Sequence, residues 1–278
     1  MRVRRISTAL AGVAALALAV TACGPTAGEG GGGGGEGGGD TITIGTKYDQ
    51  PGLGLLEGQE PVGFDVDVAE YVAAELGYEE DQIEWTEAAS ANRETYLQQG
   101  TVDMIFATYS ITDERKEVVS FGGPYYVAQQ DILVAADDDS INTPEDLAGK
   151  TLCSASGSRS AFTITETMEI DAQLREAGNY SECMQLLTNG TVDAVTTDNV
   201  ILAGFSSQQE GEFRLLNEPF QEERYGVGLP KDSDMCEDVN AAITKMWEDG
   251  TAAELLEEHF GPTGLDYATE QPELDGCA

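Results

Sequence analysis

The chain has 278 residues, 41% of them apolar, which is enough to build a core and is incompatible with wholesale disorder. Lysine and arginine number 14 against 51 aspartates and glutamates, for a formal charge of −37. Such a surface lacks the cations that nucleic acid phosphates or anionic lipid heads require, so broad contact with either is excluded.

Arg2, Arg4 and Arg5 precede an Ala/Leu/Val-rich run at 6–20 that is too short to span a bilayer comfortably. Small residues then lead to Cys23, so residues 1–22 read as an export signal cleaved before that cysteine. The run Val20-Thr21-Ala22-Cys23 resembles a bacterial lipobox, which implies a lipidated Cys23, a membrane attachment through the lipid, and a place outside the cell on the outer face of the cytoplasmic membrane. Residues 23–39 carry the anchor and a tether: positions 28–39 are glycine except Glu29 and Glu36, a composition with nothing apolar to bury.

From residue 40 onward short β-branched runs alternate with helical stretches, the pattern of an α/β fold. Strands are predicted at 41–45 and 83–86, with a helix at 66–76 closed by Gly77 between them. Ser90 reads as the N-cap of a helix ending at Gln99, with Gly100 as its C′ residue and a strand at 102–107 beyond. A further strand is predicted at 132–136. Thr143-Pro144-Glu145-Asp146 follows helix-start grammar, with an N-cap, proline at N1 and acids at N2 and N3. A strand around 151–153 comes next, then a helix at 183–189 stopped by Gly190 and a strand at 192–196. The single histidine, His259, falls near the end of a helix and reads as a solvated last-turn residue.

Gly100-Thr101-Val102-Asp103 and Gly190-Thr191-Val192-Asp193 match letter for letter. Five residues beyond each aspartate lie Thr108 and Asp198, both expected at carboxyl ends of strands, where open α/β sheets bind ligands. Two similar lobes facing each other across a cleft follow from this repeat. The chain is expected to cross between them at 125–131 and 222–228, giving lobe 1 as 40–128 with 224–278, including a C-terminal tail, and lobe 2 as 129–223. Beyond Cys23 four cysteines remain, without CxxC spacing or histidine companions, so disulfides are favoured over a metal. Of three connectivities, Cys153 with Cys183 and Cys236 with Cys277 is preferred because each pair is local to one lobe.

The scarce cations occupy unusual places. Ser90-Ala91-Asn92-Arg93 and Thr112-Asp113-Glu114-Arg115 each put arginine three residues after an expected N-cap, where the helix dipole disfavours it. A carboxylate docked there reverses the sign; surface pairing with Glu94, or with Asp113 and Glu114, is the alternative. Lys47 adds a cation just after the first strand. Ser154-Ala155-Ser156-Gly157-Ser158-Arg159 is a small-residue loop suited to close backbone approach to an anion. Asp198, beside Thr196, Thr197 and Asn199, is placed to hold an ammonium. Two anion sites and one cation site describe an acidic amino acid.

These residues sit within runs that resemble the polar amino acid solute-binding proteins of ABC importers (family 3), among them actinobacterial glutamate-binding lipoproteins. The carriers are Ile44-Gly45-Thr46-Lys47-Tyr48-Asp49-Gln50-Pro51-Gly52, Gly63-Phe64-Asp65-Val66-Asp67-Val68-Ala69, Asn92-Arg93-Glu94-Thr95, Ser110-Ile111-Thr112-Asp113-Glu114-Arg115, Phe121-Gly122-Gly123-Pro124-Tyr125 and Tyr225-Gly226-Val227-Gly228. The resemblance implies a two-lobe, periplasmic-binding-protein-like (type II) α/β fold with the ligand cleft between the lobes, and a monomer that delivers glutamate, or a similar acidic amino acid such as aspartate, to an ABC permease. It implies that Arg115 clamps the α-carboxylate with Ser110 and the loop Ser156, Gly157 and Ser158, that Asp198 takes the α-ammonium with the Thr108 carbonyl, and that Arg93 and Lys47, near Ser90, grip the side-chain carboxylate. Arg159 departs from the small residue expected beside the loop and is a candidate addition to the side-chain site, and Thr197 is a further candidate. An enzyme is not expected, since no HExxH, GxSxG or catalytic Cys-His constellation is present, and no cofactor or metal is expected either. The competing readings are a cyclic-acid dehydratase on the same fold and a sensor-type binding protein.

Overall fold

A computed structural model describes residues 41–277. The export signal, Cys23 and the tether lie outside the described residues. The chain opens on β1 (Ile42–Thr46), followed by a small antiparallel sheet of β2 (Asp49–Gln50), β3 (Gly54–Glu57) and β4 (Glu60–Val62), which sequence patterning does not anticipate. Helix α1 (Phe64–Glu75) starts two residues before its expected position and buries Phe64, Val68, Ala69 and Val72. Next come β5 (Ile83–Glu87), α2 (Arg93–Gln99), β6 (Met104–Phe106), the one-turn α3 (Asp113–Lys116) and the 16-residue β7 (Ser120–Ala135). Beyond it lie β8 (Thr151–Ala155), the short α4 (Ser160–Phe162), β9 (Gln173–Ala177), α5 (Tyr180–Thr188), β10 (Ala194–Asp198), α6 (Asn199–Gln208), β11 (Phe213–Leu215) and β12 (Gln221–Leu229). Helices α7 (Cys236–Glu248) and α8 (Thr251–Phe260) precede the C-terminal tail.

The main sheet runs in the order β5-β1-β6-β12-β7-β10-β8-β9, with β11 on β7. β5, β1 and β6 are mutually parallel, as are β10, β8 and β9, and the antiparallel pair β7–β12 joins these two halves. The separate strand expected at 132–136 is the far end of β7. Its polar letters suggest a crossing loop, yet Gln130 and Asp131 are buried within the ladder because β12 covers one edge and β10 the other. The Gln130 Nε2 is satisfied there, donating to the Ser160 carbonyl at 2.7 Å and to Thr196 Oγ1 at 3.0 Å, while its Oε1 is buried without a hydrogen-bond partner among the described residues.

The four-residue repeat has one geometry in both halves. Gly100 and Gly190 end their helices at φ of 65° and 71°, the left-handed region that glycine enters without a Cβ penalty. Asp103 then accepts the Thr43 N–H at 2.8 Å while donating its own N–H to the Thr43 carbonyl, and Asp193 does the same to Thr151, at 2.7 Å and 2.8 Å. Each aspartate therefore pins its chain to the neighbouring strand, β1 in one half and β8 in the other.

Both preferred disulfides are formed: Cys153–Cys183 ties β8 to α5, and Cys236–Cys277 ties α7 to the tail. The tail also donates the Asp275 N–H to the Gly123 carbonyl and accepts two bonds from Arg224 of β12, through the Glu273 carbonyl at 2.6 Å and Asp275 Oδ1 at 2.7 Å. His259 is not solvated as expected. Its Nε2 lies 2.5 Å from Asp67 Oδ2 and its ring packs against Phe64, because α8 folds back onto α1. Among the described residues no helix is long and apolar enough to cross a membrane.

Candidate functional site

The carboxyl ends of β6, β8 and β10 open onto one cavity of about 560 Å³, walled from one half of the sheet by Ser90, Arg93, Thr108, Ser110 and Arg115 and from the other by Ser158, Arg159, Thr197 and Asp198. Residues far apart in sequence are thus brought to the position that α/β topology favours for ligands.

Arg93 is the first residue of α2, not the third, since the helix is preceded by Asn92 and Ser90 is not its cap. Its guanidinium is buried and donates to the carbonyls of Ala107 at 3.0 Å, Thr108 at 3.3 Å, Ser90 at 3.4 Å and Gly157 at 3.4 Å. Burial, with Arg115 next in weight, lowers its pKa to about 10, so it stays charged at neutral pH. Arg115 sits where expected: the Thr112 hydroxyl caps α3 by accepting the Arg115 N–H at 3.2 Å. Its side chain donates to the Ser110 carbonyl at 2.7 Å, to Gly157 at 3.3 Å and to Glu94 Oε1 at 3.2 Å. The Glu94 pairing weighed for surface arginines does occur, but on the wall of a cavity and with Arg115 only 8% exposed. Both guanidinium groups lie over the Tyr109 ring, at 4.3 Å and 4.9 Å from its centroid.

Several expected residues are placed differently. Lys47 is not on the cavity wall; it is buried behind Ser90, donating to Ser90 Oγ at 2.6 Å, and burial followed by repulsion from Arg93 lowers its pKa to about 7. Ser156 does not line the cavity either. The Ser156 and Ser158 N–H groups are used locally, on the Ala177 and Ala155 carbonyls, so the loop offers the arginines its Gly157 carbonyl in place of an N–H cradle. Ser158 Oγ lies 2.6 Å from the Tyr180 hydroxyl. The Thr108 carbonyl, expected to face an ammonium, accepts from Arg93. Arg159 stays at the mouth, half exposed between Glu114 at 3.7 Å and Glu166 at 3.9 Å. Thr197 and Asp198 line the wall as expected. Asp198 Oδ2 accepts the Tyr225 hydroxyl at 2.5 Å, and its pKa is raised, mainly by burial and then by Glu223.

Two contributors escape sequence reasoning. Asp65, inside α1, accepts the Thr108 N–H and the Tyr125 hydroxyl, each at 2.7 Å, and so holds Thr108 at a φ of 45° that a β-branched residue rarely adopts. Burial raises the Asp65 pKa to about 6 against the pull of those two bonds. Glu223, on β12, also lines the cavity. Its only signal in the sequence is an acid within an expected crossing.

Gly157 is one place where the two halves of the sheet touch, as Ser181 on Asp49 and Gly204 against Pro51 are others. Its φ is 76°, and an added Cβ would fall 2.5 Å from the Ser90 carbonyl carbon and against the Ala91 backbone. Gly157→Ala is expected to force the loop away from 90–91 at a cost of about 1–3 kcal/mol. Small-angle scattering should then give a larger radius of gyration than for the parent, and an unchanged radius would count against this contact.

The model of the bacterial extracellular solute-binding proteins, family 3, matches residues 42–262. The chain is 47% identical to the glutamate-binding protein GluB of Corynebacterium glutamicum over 267 residues, covering 92% of this chain and 88% of that one. It is 34% identical to the ABC transporter glutamine-binding protein GlnH of Bacillus subtilis, covering 79% and 81%. Among solved structures, an ancestral arginine-binding protein bound to arginine aligns with a TM-score of 0.73 at 33% identity, covering 80% of this chain and 98% of that one.

Proposed function

The chain belongs to the bacterial extracellular solute-binding proteins, family 3, and on that premise we propose that it captures an acidic amino acid, glutamate first, in the cleft between its two lobes and delivers it to an ABC permease. The observation that carries this reading is the convergence of two buried arginines and one buried aspartate on a single cavity. Arg115, with Ser110, receives the α-carboxylate and Asp198 the α-ammonium. Arg93 receives the side-chain carboxylate beside Ser90, with Lys47 supporting from behind. An incoming carboxylate displaces the Gly157 carbonyl from the guanidinium groups, exchanging a neutral acceptor for an ionic one and strengthening each hydrogen bond.

Lobe 1 is residues 40–128 with 224–278 and lobe 2 is 129–223, with closure about the β7–β12 pair. Closing excludes water and strengthens each ion pair, and the permease reads the closed form. Cys23, freed by removal of residues 1–22, carries the lipid, and the glycine-rich tether lets a monomeric binding unit face its permease. The similarity to the glutamate-binding protein favours a carrier over the dehydratase alternative.

A thermal-shift series over the twenty amino acids tests the ligand. Glutamate is expected to give the largest upward shift, equivalent to about 2.7 kcal/mol at a hundred times its dissociation constant. A larger shift with glutamine or arginine would overturn the assignment to an acidic ligand.

A further inference from the structure

At the Asp198 end of the cavity, carboxylates outnumber the cations committed to them. Glu223 lies two residues before Tyr225 on β12, and strand residues two apart share a face, so its carboxylate turns the same way as the Tyr225 hydroxyl that reaches Asp198. The segment 109–111 runs beside β12, with Gly226 N–H on the Tyr109 carbonyl at 2.9 Å and Ile111 N–H on the Arg224 carbonyl at 2.8 Å, and this brings the Ser110 hydroxyl to Glu223. The charged groups acting on the pair are Arg93 and Arg115. Arg93 donates to main-chain carbonyls and Arg115 to Glu94 and the Ser110 carbonyl, and both are assigned to the ligand's own carboxylates. Burial makes both carboxyls harder to ionise than usual, and for Asp198 the facing Glu223 is the next cause. What this pair lacks is one positive charge bearing several hydrogens.

We infer that Glu223 is a second carboxylate receptor for the ligand's ammonium, acting with Asp198; the inference rests on the acidic amino acid reading of the same cavity. β10 and β12 flank β7 on opposite edges, so an ammonium held by both residues is gripped from both sides of β7. A ligand without a free ammonium leaves buried Asp198 and half-buried Glu223 without their cation, so the pair must keep a proton or bear the repulsion, and the site discriminates against it.

The test is calorimetric titration of wild-type protein, Glu223→Gln and Glu223→Asp with L-glutamate and, in competition, with glutarate, the same dicarboxylate without its amine. Glu223→Gln is expected to weaken L-glutamate by about tenfold and to leave glutarate unchanged or tighter, and Glu223→Asp to recover part of the loss. Unchanged glutamate affinity in Glu223→Gln overturns the role, and so does an equal loss for both ligands, which a structural defect produces. Failure of the wild-type protein to bind L-glutamate overturns the underlying reading, a result distinct from wild-type binding that the variant retains.

Discussion

Arg115→Ala is expected to remove nearly all calorimetrically measurable binding of L-glutamate, a loss of about 3–5 kcal/mol, or roughly a hundredfold to several thousandfold. The size follows from the position of the side chain. Arg115 is a buried cation held in place by the Ser110 carbonyl, Glu94 and the Tyr109 ring, so it meets a ligand carboxylate in a fixed orientation and with little water. Truncation leaves that carboxylate desolvated and unpaired beside Glu94. The fold should tolerate the change. The cap of α3 uses the Arg115 backbone N–H, which alanine retains, and alanine is the better helix former. Micromolar affinity persisting in Arg115→Ala would defeat the carboxylate role.

Replacing Cys236 and Cys277 by serine is expected to lower stability by about 4 kcal/mol, a large share of the 5–15 kcal/mol typical of a folded protein. The bridge closes a loop with a sequence separation of 41, and the chain-entropy relation gives that magnitude for such a loop. The Cys153–Cys183 bridge, with a separation of 30, should be worth slightly less. The first bridge also holds the tail against β7 and β12, where Asp275 meets Arg224 and the Gly123 carbonyl. Urea unfolding of the double variant checks the figure. A loss below about 1 kcal/mol would mean that the tail stays docked without the bond.

Much of the architecture is legible in local grammar. The helix–glycine–strand phrase at 100–103 and 190–193 announces two related halves because in each an aspartate pins the returning chain to the backbone of a neighbouring strand. Thr112 and Arg115 are readable because a cap and its helix lie within four residues. The remainder depends on partners distant in sequence. Lys47 looks like a solvated loop lysine, and only the fold buries it and sets it against Ser90, 43 positions away. Gln130 and Asp131 look like a loop until two strands flank them. The loop at 156–158 looks like an anion cradle, but the Ser156 and Ser158 N–H groups are lost to the Ala177 and Ala155 carbonyls through turn geometry that composition does not encode. Glu223 is one acid among many in an acidic chain, and only β12 packing beside 109–111 sets it apart.

The strand order also sets a schedule for assembly. β8, β9, β10, β11 and the far end of β7 find all their sheet partners within residues 130–215, whereas β6 acquires its neighbour β12 only at Gly228, and the covering helices α7 and α8 come later still. A chain emerging from its N-terminus therefore completes its middle portion first, while the earlier-made strands β1, β5 and β6 wait with an open edge for the last quarter of the polypeptide.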